Sequence, residues 1–510
     1  MLNFLGSSHT IAALVKIATP AAAALEARSG LDPWARADLP VPPAPQGFGW
    51  FKAVGPGVIV LGVSLGSGEF LLGPAAFVRH GLSLLWVVGI AVMLQTIFNT
   101  ELMRYTLATG EPAFTGFMRT RPSSTAWAWV YAVLYFLQVG WPAWAGTAAG
   151  AIFFLFTSRL AGPPDANAIY YFGVATFLLC VVILSFGRRI ERTLELLNWV
   201  LVVAILGSFL VLAVIFVPPR TWAAGVSGLA GFDLTRGTFD FFPIGTDLFL
   251  LGALVAYSGA GGVTNIVLSN WARDRGYGMG ERAGYIPCAI GGQKVALAHN
   301  GFIFEGDPEG MRRWRGWWRV VSVDQWGVFF AGAILGMVLP AMLYVTFLPR
   351  GMDIQGLGIS AALAQAIGAT AGPLLGVFIA FLGAWILFKT QLDQLEGMVR
   401  AITDILWTGN PRVRTWRGGD VRAVYYCVLA AVVVWGIVAL RLAQPILLLQ
   451  IGANVAGFVF VVASLHLLYV NTRLLPKHVR PPMWRRAALV AMALFYGFFV
   501  TRSAMAVWNS

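Results

Sequence analysis

One acidic residue interrupts a long apolar stretch near the start of the chain. Glu69 follows directly on Gly66, Ser67 and Gly68, and glycine weakens the hydrogen-bond ladder of a helix. An ionised carboxylate is costly in the middle of a membrane unless it faces a cavity, a partner or a proton path. We therefore expect an interrupted helix in which Glu69 either binds a charged solute or carries a coupling proton. If the solute is a metal ion, Glu69 is the one candidate ligand.

A second apolar stretch, later in the chain, is interrupted in a similar way. Three glycines lie within residues 259–262, beside side chains that carry oxygen atoms. The residues that we expect to contact a solute here are Ser258, Gly261, Thr264 and Asn265. Irregular backbone at membrane depth survives only where it is buried or lines a cavity. The alternative explanation for the glycines is close packing of helices.

The elements that must position these residues are membrane-spanning helices. The 510 residues are 58% hydrophobic and 12% charged, which is too little charge for a soluble chain of this length. Apolar runs of about 20 residues recur, the length that crosses a bilayer as a helix. The predicted fold is therefore all-α, with about eleven transmembrane helices at 53–78, 82–106, 125–157, 168–186, 195–217, 243–270, 325–348, 371–396, 422–440, 444–470 and 485–507.

The charges between these segments predict their orientation. The formal net charge is +13, but the cations lie mostly in the loops, so we expect a lipid bilayer as partner and no nucleic acid. Segments assigned to the N-terminal side hold 28 lysines and arginines, and those on the other side hold 7. By the positive-inside rule, the N-terminus is expected to be cytoplasmic, in a bacterial inner (plasma) membrane.

The two interruptions fall in the first and sixth predicted helices, five helices apart. This spacing is expected of two inverted five-helix repeats whose broken helices form a substrate site. The predicted organisation is an N-terminal tail and Pro-rich linker at 1–50, a first repeat at 51–218 and a second at 243–470. The second repeat includes a cytoplasmic loop at 271–324, and helix 11 at 485–507 is an addition.

Polar residues of helix 10 are further candidates. Gln450 and Asn454 are four residues apart and share a helix face. They are predicted to contact the solute from the second repeat, with hydrogen bonding between helices as the alternative. His466 is a candidate for proton coupling, and the alternative is a histidine that packs between helices.

Charged pairs near the predicted cytoplasmic ends of two helices are gating or coupling candidates. Glu101 and Arg104 on helix 2 are three residues apart, and an inner gate or a plain interfacial pair would explain them. Lys389 and Asp393 on helix 8 are four apart, which predicts an ion pair whose lysine reaches toward the membrane surface.

Four stretches resemble a known family. They are Gly55-Pro56-Gly57, Gly81-Leu82-Ser83-Leu84-Leu85-Trp86, Arg104-Tyr105-Thr106-Leu107-Ala108-Thr109-Gly110 and Leu392-Asp393-Gln394-Leu395-Glu396-Gly397. In this order they resemble the Nramp family of proton-coupled divalent-metal transporters, from about residue 50 to 507. The resemblance implies a LeuT-type fold of inverted 5+5 repeats plus one extra helix, and metal-ion transport.

The sequence departs from that family at its metal-binding motifs. Where the family carries Asp-Pro-Gly-Asn in helix 1, this chain has Gly66 to Glu69. Where the family carries Met-Pro-His in helix 6, it has Val263, Thr264 and Asn265. The thioether that selects soft transition metals is missing, and the oxygen ligands that remain suit hard cations. The chain is thus expected to be a divergent, Nramp-related member.

The predicted function is a secondary active transporter that moves a small cation, at family level a divalent metal, between the two interrupted helices. A proton or a sodium ion would be coupled to transport by symport. Two alternatives stay open: transport of a small polar organic solute with Glu69 as the proton switch, and a non-transporting membrane sensor or scaffold. No enzymatic activity and no cofactor are expected, because no Ser/His/Asp arrangement and no cluster of metal ligands is present.

Overall fold

The computed structural model of the protein describes residues 30–186, 190–283 and 301–508. Within this part, ten helices are long and apolar enough to cross a membrane. We count the two consecutive short helices Leu248–Tyr257 and Val263–Asp274 as an eleventh crossing. The predicted all-α class of a polytopic membrane protein is confirmed.

The eleven crossings follow the predicted order with small shifts at their ends. Their bounds are Pro56–Ser64 with Gly68–Leu72 and Gly73–His80 (helix 1), Leu85–Thr109 (helix 2), Ser124–Val139 with Ala143–Thr157 (helix 3), Ala166–Phe186 (helix 4), Ile190–Phe216 (helix 5), Leu248–Tyr257 with Val263–Asp274 (helix 6), Pro308–Ser322 with Val323–Phe330 and Ala331–Phe347 (helix 7), Pro373–Gly409 (helix 8), Val421–Leu442 (helix 9), Pro445–Arg473 (helix 10) and Met483–Trp508 (helix 11).

Short elements connect the crossings. The strands are β1 (Ala35–Arg36), β2 (Phe232–Asp233), β3 (Thr238–Phe239) and β4 (Phe302–Ile303); β1 pairs in parallel with β4, and β2 in antiparallel with β3. Short α-helices lie at Trp50–Ala53, Ala113–Met118, Pro219–Gly228, Gly280–Ala283, Ala362–Ala371 and Pro411–Thr415.

Helix 1 lies at the centre of the bundle and runs antiparallel to helix 6. The central window of helix 1 is 89% buried, against 33% for that of helix 9, which therefore faces lipid. Arg79 at the end of helix 1 lies 3.8 Å from Asp247, which caps the start of helix 6. At the other end, the Tyr277 hydroxyl after helix 6 donates to the Ala53 carbonyl before helix 1 at 2.6 Å. We call the end that contains Ala53 the basic end and the end that contains Arg79 the opposite end.

Helix 7 is longer than the sequence predicts. It begins at Pro308 rather than near residue 325 and continues to Phe347, a length of about 60 Å at 1.5 Å per residue. Its first part lies toward the basic end, and Trp314 and Trp317 are buried there against the rest of the protein. Residues 284–300 of the predicted 271–324 loop lie outside the described residues.

The described part of the segment before helix 1 packs on the rest of the protein. Residues 1–29 lie outside the described residues. In the part that follows, Ala37 donates to Ile303 at 3.1 Å beside the β1–β4 pair. The side chains of Arg313 and Trp317 on helix 7 donate to the carbonyls of Leu39 and Pro40 at 2.8 and 2.9 Å. This N-terminal arm, residues 30–46, is therefore part of the folded body.

Candidate functional site

The interruption of helix 6 spans residues 258–262 and is held open by an amide side chain. Gly259, Gly261 and Gly262 all have positive φ angles, a conformation that costs other residues free energy. Gln138 of helix 3 donates to the Gly261 carbonyl and accepts from the Val263 amide, both at 2.9 Å. One side chain thus replaces backbone partners that a continuous helix would supply.

Helix 2 supplies a second amide to the same interruption. Gln95 donates through Nε2 to the Ser258 carbonyl at 2.9 Å and to the Tyr496 hydroxyl of helix 11 at 2.9 Å. The Ser258 hydroxyl donates back to the Leu254 carbonyl at 2.7 Å, at the end of the first half of helix 6. The interrupted backbone therefore finds its partners inside the protein, as membrane depth requires.

Helix 1 is interrupted by a tight turn at residues 65–67 followed by a π-helical segment, Gly68–Leu72. Trp144 of helix 3 donates to the Ser67 hydroxyl at 2.9 Å. A Cβ atom on Gly66 would collide with the Thr390 side chain of helix 8, and one on Gly68 would collide with the Tyr257 carbonyl of helix 6. The two interruptions are thus packed directly against each other, and little space remains between them.

Glu69 lies beside this contact and is 1% exposed, so it does not face lipid. Neither carboxylate oxygen has a hydrogen-bond partner within the described part of the chain. The polar groups nearest to these oxygens are the backbone of Glu69 itself, the Ser64 side chain and the Gly259 backbone, none of them in good hydrogen-bonding geometry. A Cβ atom on Gly336 of helix 7 would lie 3.5 Å from Glu69 Cγ, so the acid packs against that helix. An unpartnered buried carboxylate is expensive, which favours a proton or a cation as its missing partner.

Thr264 and Asn265 lie one turn further along helix 6 and face other neighbours. The Thr264 hydroxyl donates to Gln394 of helix 8 at 3.2 Å, and Asn265 donates to Asn99 of helix 2 at 2.8 Å. The Asn265 Oδ1 and Gln394 Nε2 atoms have no partner among the described residues. The structure therefore brings Gly66, Ser67, Glu69, Ser258 and Gly261 together, and places Thr264 and Asn265 on the basic-end side of them.

The chain has the fold of a manganese transporter. Two variants of the manganese transporter of Eremococcus coleocola superpose with TM-scores of 0.62 and 0.60, at 15% sequence identity, over 90% of this chain and 87% of theirs. This is the LeuT-type arrangement that the resemblance to the Nramp family predicts. No protein-family model matches the chain, and no curated protein matches it by sequence. At this identity the likeness establishes the fold alone.

Helix 10 places both of its predicted site residues away from the interruptions. Asn454 donates to the Phe249 carbonyl at 3.1 Å, at the start of helix 6 rather than at its interruption. It lines a lipid-facing groove of about 890 Å³ between helices 3, 6, 10 and 11. Gln450 donates to Gln355, in the loop before helix 8, at 2.5 Å. The two residues share a face as predicted, but that face meets the opposite end of the bundle.

His466 packs at the basic end of helix 10, as the alternative prediction has it. Its ring nitrogens lie 2.8 Å from the Thr120 hydroxyl and 3.0 Å from the Tyr131 hydroxyl. The imidazole stacks on Phe117 with ring centroids 4.5 Å apart and lies beside Trp127. These neighbours belong to helix 3, to the short helix Ala113–Met118 before it and to the turn between them, so none of these contacts reaches either interruption.

Glu101 and Arg104 form the predicted pair, and the pair belongs to a cluster that also includes helices 7 and 11. Arg104 donates to Glu101 at 2.8 Å, and Arg485 of helix 11 donates to the same carboxylate at 3.0 Å. Both guanidinium groups lie over the Trp318 ring of helix 7. These contacts join helices 2, 7 and 11 at the basic end, and the gating role of the pair stays a prediction.

Lys389 and Asp393 form the predicted ion pair on helix 8. Both side chains are buried, so the lysine does not reach toward the membrane surface as expected. Further along helix 8, Arg400 pairs with Asp274 of helix 6 at 3.4 Å, and Asp404 pairs with Arg273 at 3.2 Å. Sequence analysis did not connect these residues, because their partners lie more than a hundred positions away.

Several functional candidates were missed at the sequence level. They are the side chains that contact the two interruptions or the first turn of helix 6 after its interruption, together with two at the start of helix 1: Gln95, Asn99, Thr390, Gln394, Asp324 and Gln325. The available signal was an amide or carboxylate inside an apolar run. Such a side chain in a membrane helix requires a partner, but the sequence does not identify it.

Proposed function

We propose that the protein is a secondary transporter that moves a small hard cation through the site between the interruptions of helices 1 and 6. Glu69 carries this proposal, because its carboxylate is buried and both of its oxygens lack a partner within the described residues. The remaining ligands would be hydroxyl and backbone oxygens near Ser67 and Ser258. Oxygen ligands of this kind suit a hard divalent ion better than a soft one.

The packing around Glu69 favours a small solute. In the described ranges, no three His, Cys, Asp or Glu side chains converge on a common point. The cation would therefore keep water or backbone ligands in addition to one carboxylate. Because Gly66 and Gly68 touch Thr390 and Tyr257, an organic solute of several heavy atoms would require the two interruptions to separate.

The fold supports transport rather than sensing. The manganese transporter of Eremococcus coleocola shares the fold over most of both chains. Manganese is not favoured over magnesium or calcium here, because the thioether that the family carries in helix 6 is absent and carboxylate, carbonyl and water ligands suit all three ions. We propose that the basic end is cytoplasmic. We also propose that transport is symport driven by a proton or sodium gradient, and that Glu69 binds the cation or the coupling proton.

The experiment is ion uptake into proteoliposomes. Uptake of Mg²⁺, Ca²⁺ and Mn²⁺ is recorded with internal indicators, with and without a proton or sodium gradient. We expect Glu69→Gln to lower uptake of the transported ion at least about tenfold, since it removes the carboxylate charge that would bind the cation. Asp165→Asn is the matched control, because Asp165 pairs with Arg159 in an exposed loop.

Two results would contradict this proposal. Full-rate uptake by Glu69→Gln would show that the cation site lies elsewhere. Absence of uptake for all three ions by the folded protein would favour a polar organic solute or a non-transporting sensor.

A further inference from the structure

The basic end of helix 1 is held by a carboxylate from another helix. The first N–H groups of any helix lack partners within it. Here Asp324 of helix 7 accepts hydrogen bonds from the backbone amides of Gly55 at 2.9 Å and Gly57 at 2.8 Å. Pro56, between them, has no N–H to satisfy. The carboxylate is 0% exposed, so it acts as a buried cap from outside the helix.

The second glycine of the Gly-Pro-Gly motif is explained by this contact. A Cβ atom on Gly57 would collide with the Asp324 backbone carbonyl and would lie only 2.8 Å from Asp324 Oδ2. Any larger residue would therefore push this part of helix 7, together with its carboxylate, away from helix 1. Charge-assisted hydrogen bonds of this kind are about twice as strong as neutral ones, so the contact fixes helix 1 against helix 7.

A chain of amide side chains extends from Asp324 to the interruption of helix 6. Gln325 donates to Asp324 at 2.8 Å, Asn99 donates to Gln325 at 3.0 Å, and Asn265 donates to Asn99 at 2.8 Å. Each link donates toward Asp324, because an ionised carboxylate only accepts. At the far end, Asn265 Oδ1 has no partner in the part of the chain that the structure describes.

We propose that Asp324 is a positioning residue that holds the basic end of helix 1, and that the amide chain couples this hold to helix 6 at Asn265. Both interrupted helices are then fastened to helices 2 and 7 by one continuous set of hydrogen bonds. Releasing either end of the chain loosens the other. Only one part of this inference rests on the proposed function: if the protein is a transporter, opening of the basic end would accompany release of the solute.

The test is hydrogen–deuterium exchange of the full chain in lipid nanodiscs without added solute. Asp324→Asn keeps the size of the side chain but removes the charge. We expect exchange over residues 55–64 to accelerate about tenfold, since hydrogen bonds to a charged group are lost or weakened. The decisive readout is remote: exchange over residues 263–270 of helix 6 is expected to accelerate about threefold in the same variant, because cooperative links weaken together.

The reciprocal variant is Asn265→Leu. Asn265 forms none of the hydrogen bonds at the start of helix 1, so any effect there must pass through the amide chain. This variant is expected to accelerate exchange over 55–64 as well as over its own helix. Asp247→Asn is the control, since Asp247 caps helix 6 at the opposite end by accepting from Phe249 and Leu250. It should accelerate exchange over 248–257 and leave 55–64 unchanged.

Gly57→Ala provides a second route if Asp324→Asn does not fold. It leaves the carboxylate in the chain but displaces it from the helix 1 start, so the same acceleration over 55–64 is expected. Unchanged exchange over 55–64 in the folded variant overturns the hold by Asp324. Purely local effects in both Asp324→Asn and Asn265→Leu overturn the coupling. Because no solute is used, either result is independent of the uptake experiment.

Discussion

The two ends of the helix 1 and helix 6 pair are fastened in different ways. At the opposite end, Arg79 lies 3.8 Å from both Asp247 and Asp353, and all three side chains are about a third exposed or more. At the basic end, the fastening is by Asp324 and by Tyr277, whose hydrogen bonds to the start of helix 1 are 2.6 to 2.9 Å long and buried.

This difference indicates which end opens at lower cost. Exposed ion pairs contribute about 0–1 kcal/mol and are screened by salt. Removing the acceptor from a buried hydrogen bond costs about 1–3 kcal/mol, and more for charged groups. Without solute, the described conformation should therefore open more readily at the opposite end, where Arg79 holds it, than at the basic end, where Asp324 does.

The largest expected effect is on stability at the basic end. Asp324→Ala leaves two buried N–H groups and Gln325 without their acceptor, and should lower the free energy of unfolding by about 3 kcal/mol or more. Arg79→Ala should cost about 1 kcal/mol or less. Thermal unfolding in detergent, monitored for both variants, measures the difference. Equal shifts in melting temperature for the two variants would contradict the inference that the basic end is held more strongly than the opposite end.

A smaller effect is expected from acid, at two pairs outside the membrane-spanning segments. Burial alone would raise the pKa of Glu111 at the basic end, but the neighbouring Arg119 outweighs it and lowers that pKa. Asp233 at the opposite end has a lowered pKa for a similar reason, since its backbone hydrogen bond from Thr235 and its pair with Arg350 outweigh burial.

A carboxyl whose pKa is lowered by folding stabilises the protein above its unfolded pKa, and this stabilisation is lost as the pH falls through the folded value. We therefore expect the melting temperature to fall between about pH 5 and pH 3. The Glu111 contribution should be larger, because its pair with Arg119 is wholly buried whereas Arg350 is partly exposed. Melting curves of Glu111→Gln and Asp233→Asn across this range check it: the first variant should flatten the pH dependence more.

The smallest effect concerns salt. Raising the ionic strength from about 0.05 to about 0.5 M shortens the Debye length and screens exposed pairs, but not buried ones. Exchange over residues 73–80 at the opposite end should increase about twofold, because the pairs of Arg79 weaken. Exchange over 55–64 should not change. A comparable response at both ends would show that Asp324 is more accessible to ions than its burial indicates.

The order of helices and the positions of both interruptions could be predicted from the sequence. Glycine beside polar residues inside an apolar run is a local signal, and it located Glu69 and residues 258–262 correctly as buried, irregular segments. The periodicity of helix 10 also showed that Gln450 and Asn454 share a face. It did not show which neighbour that face meets, because helix rotation is set by tertiary packing.

The partners of the interruptions could not be predicted, because they come from distant parts of the chain. Gln138 and Gln95 satisfy the helix 6 interruption from positions more than a hundred residues earlier. Asp324 was missed for a different reason: the predicted helix 7 began at residue 325, since the arginines and tryptophans before it are typical of a loop. A single helix from Pro308 places Asp324 inside the bundle.

The N-terminal arm has a practical consequence for work on this protein. Its carbonyls at Leu39 and Pro40 are the acceptors for Arg313 and Trp317, and Leu39 itself is 1% exposed. Because the residues before helix 1 are proline-rich, truncation at Trp50 is an obvious choice for expression. It would expose the aromatic surface of helix 7 that the arm covers. Low expression or aggregation of such a shortened protein would then result from loss of the arm rather than from a defect in the transmembrane region.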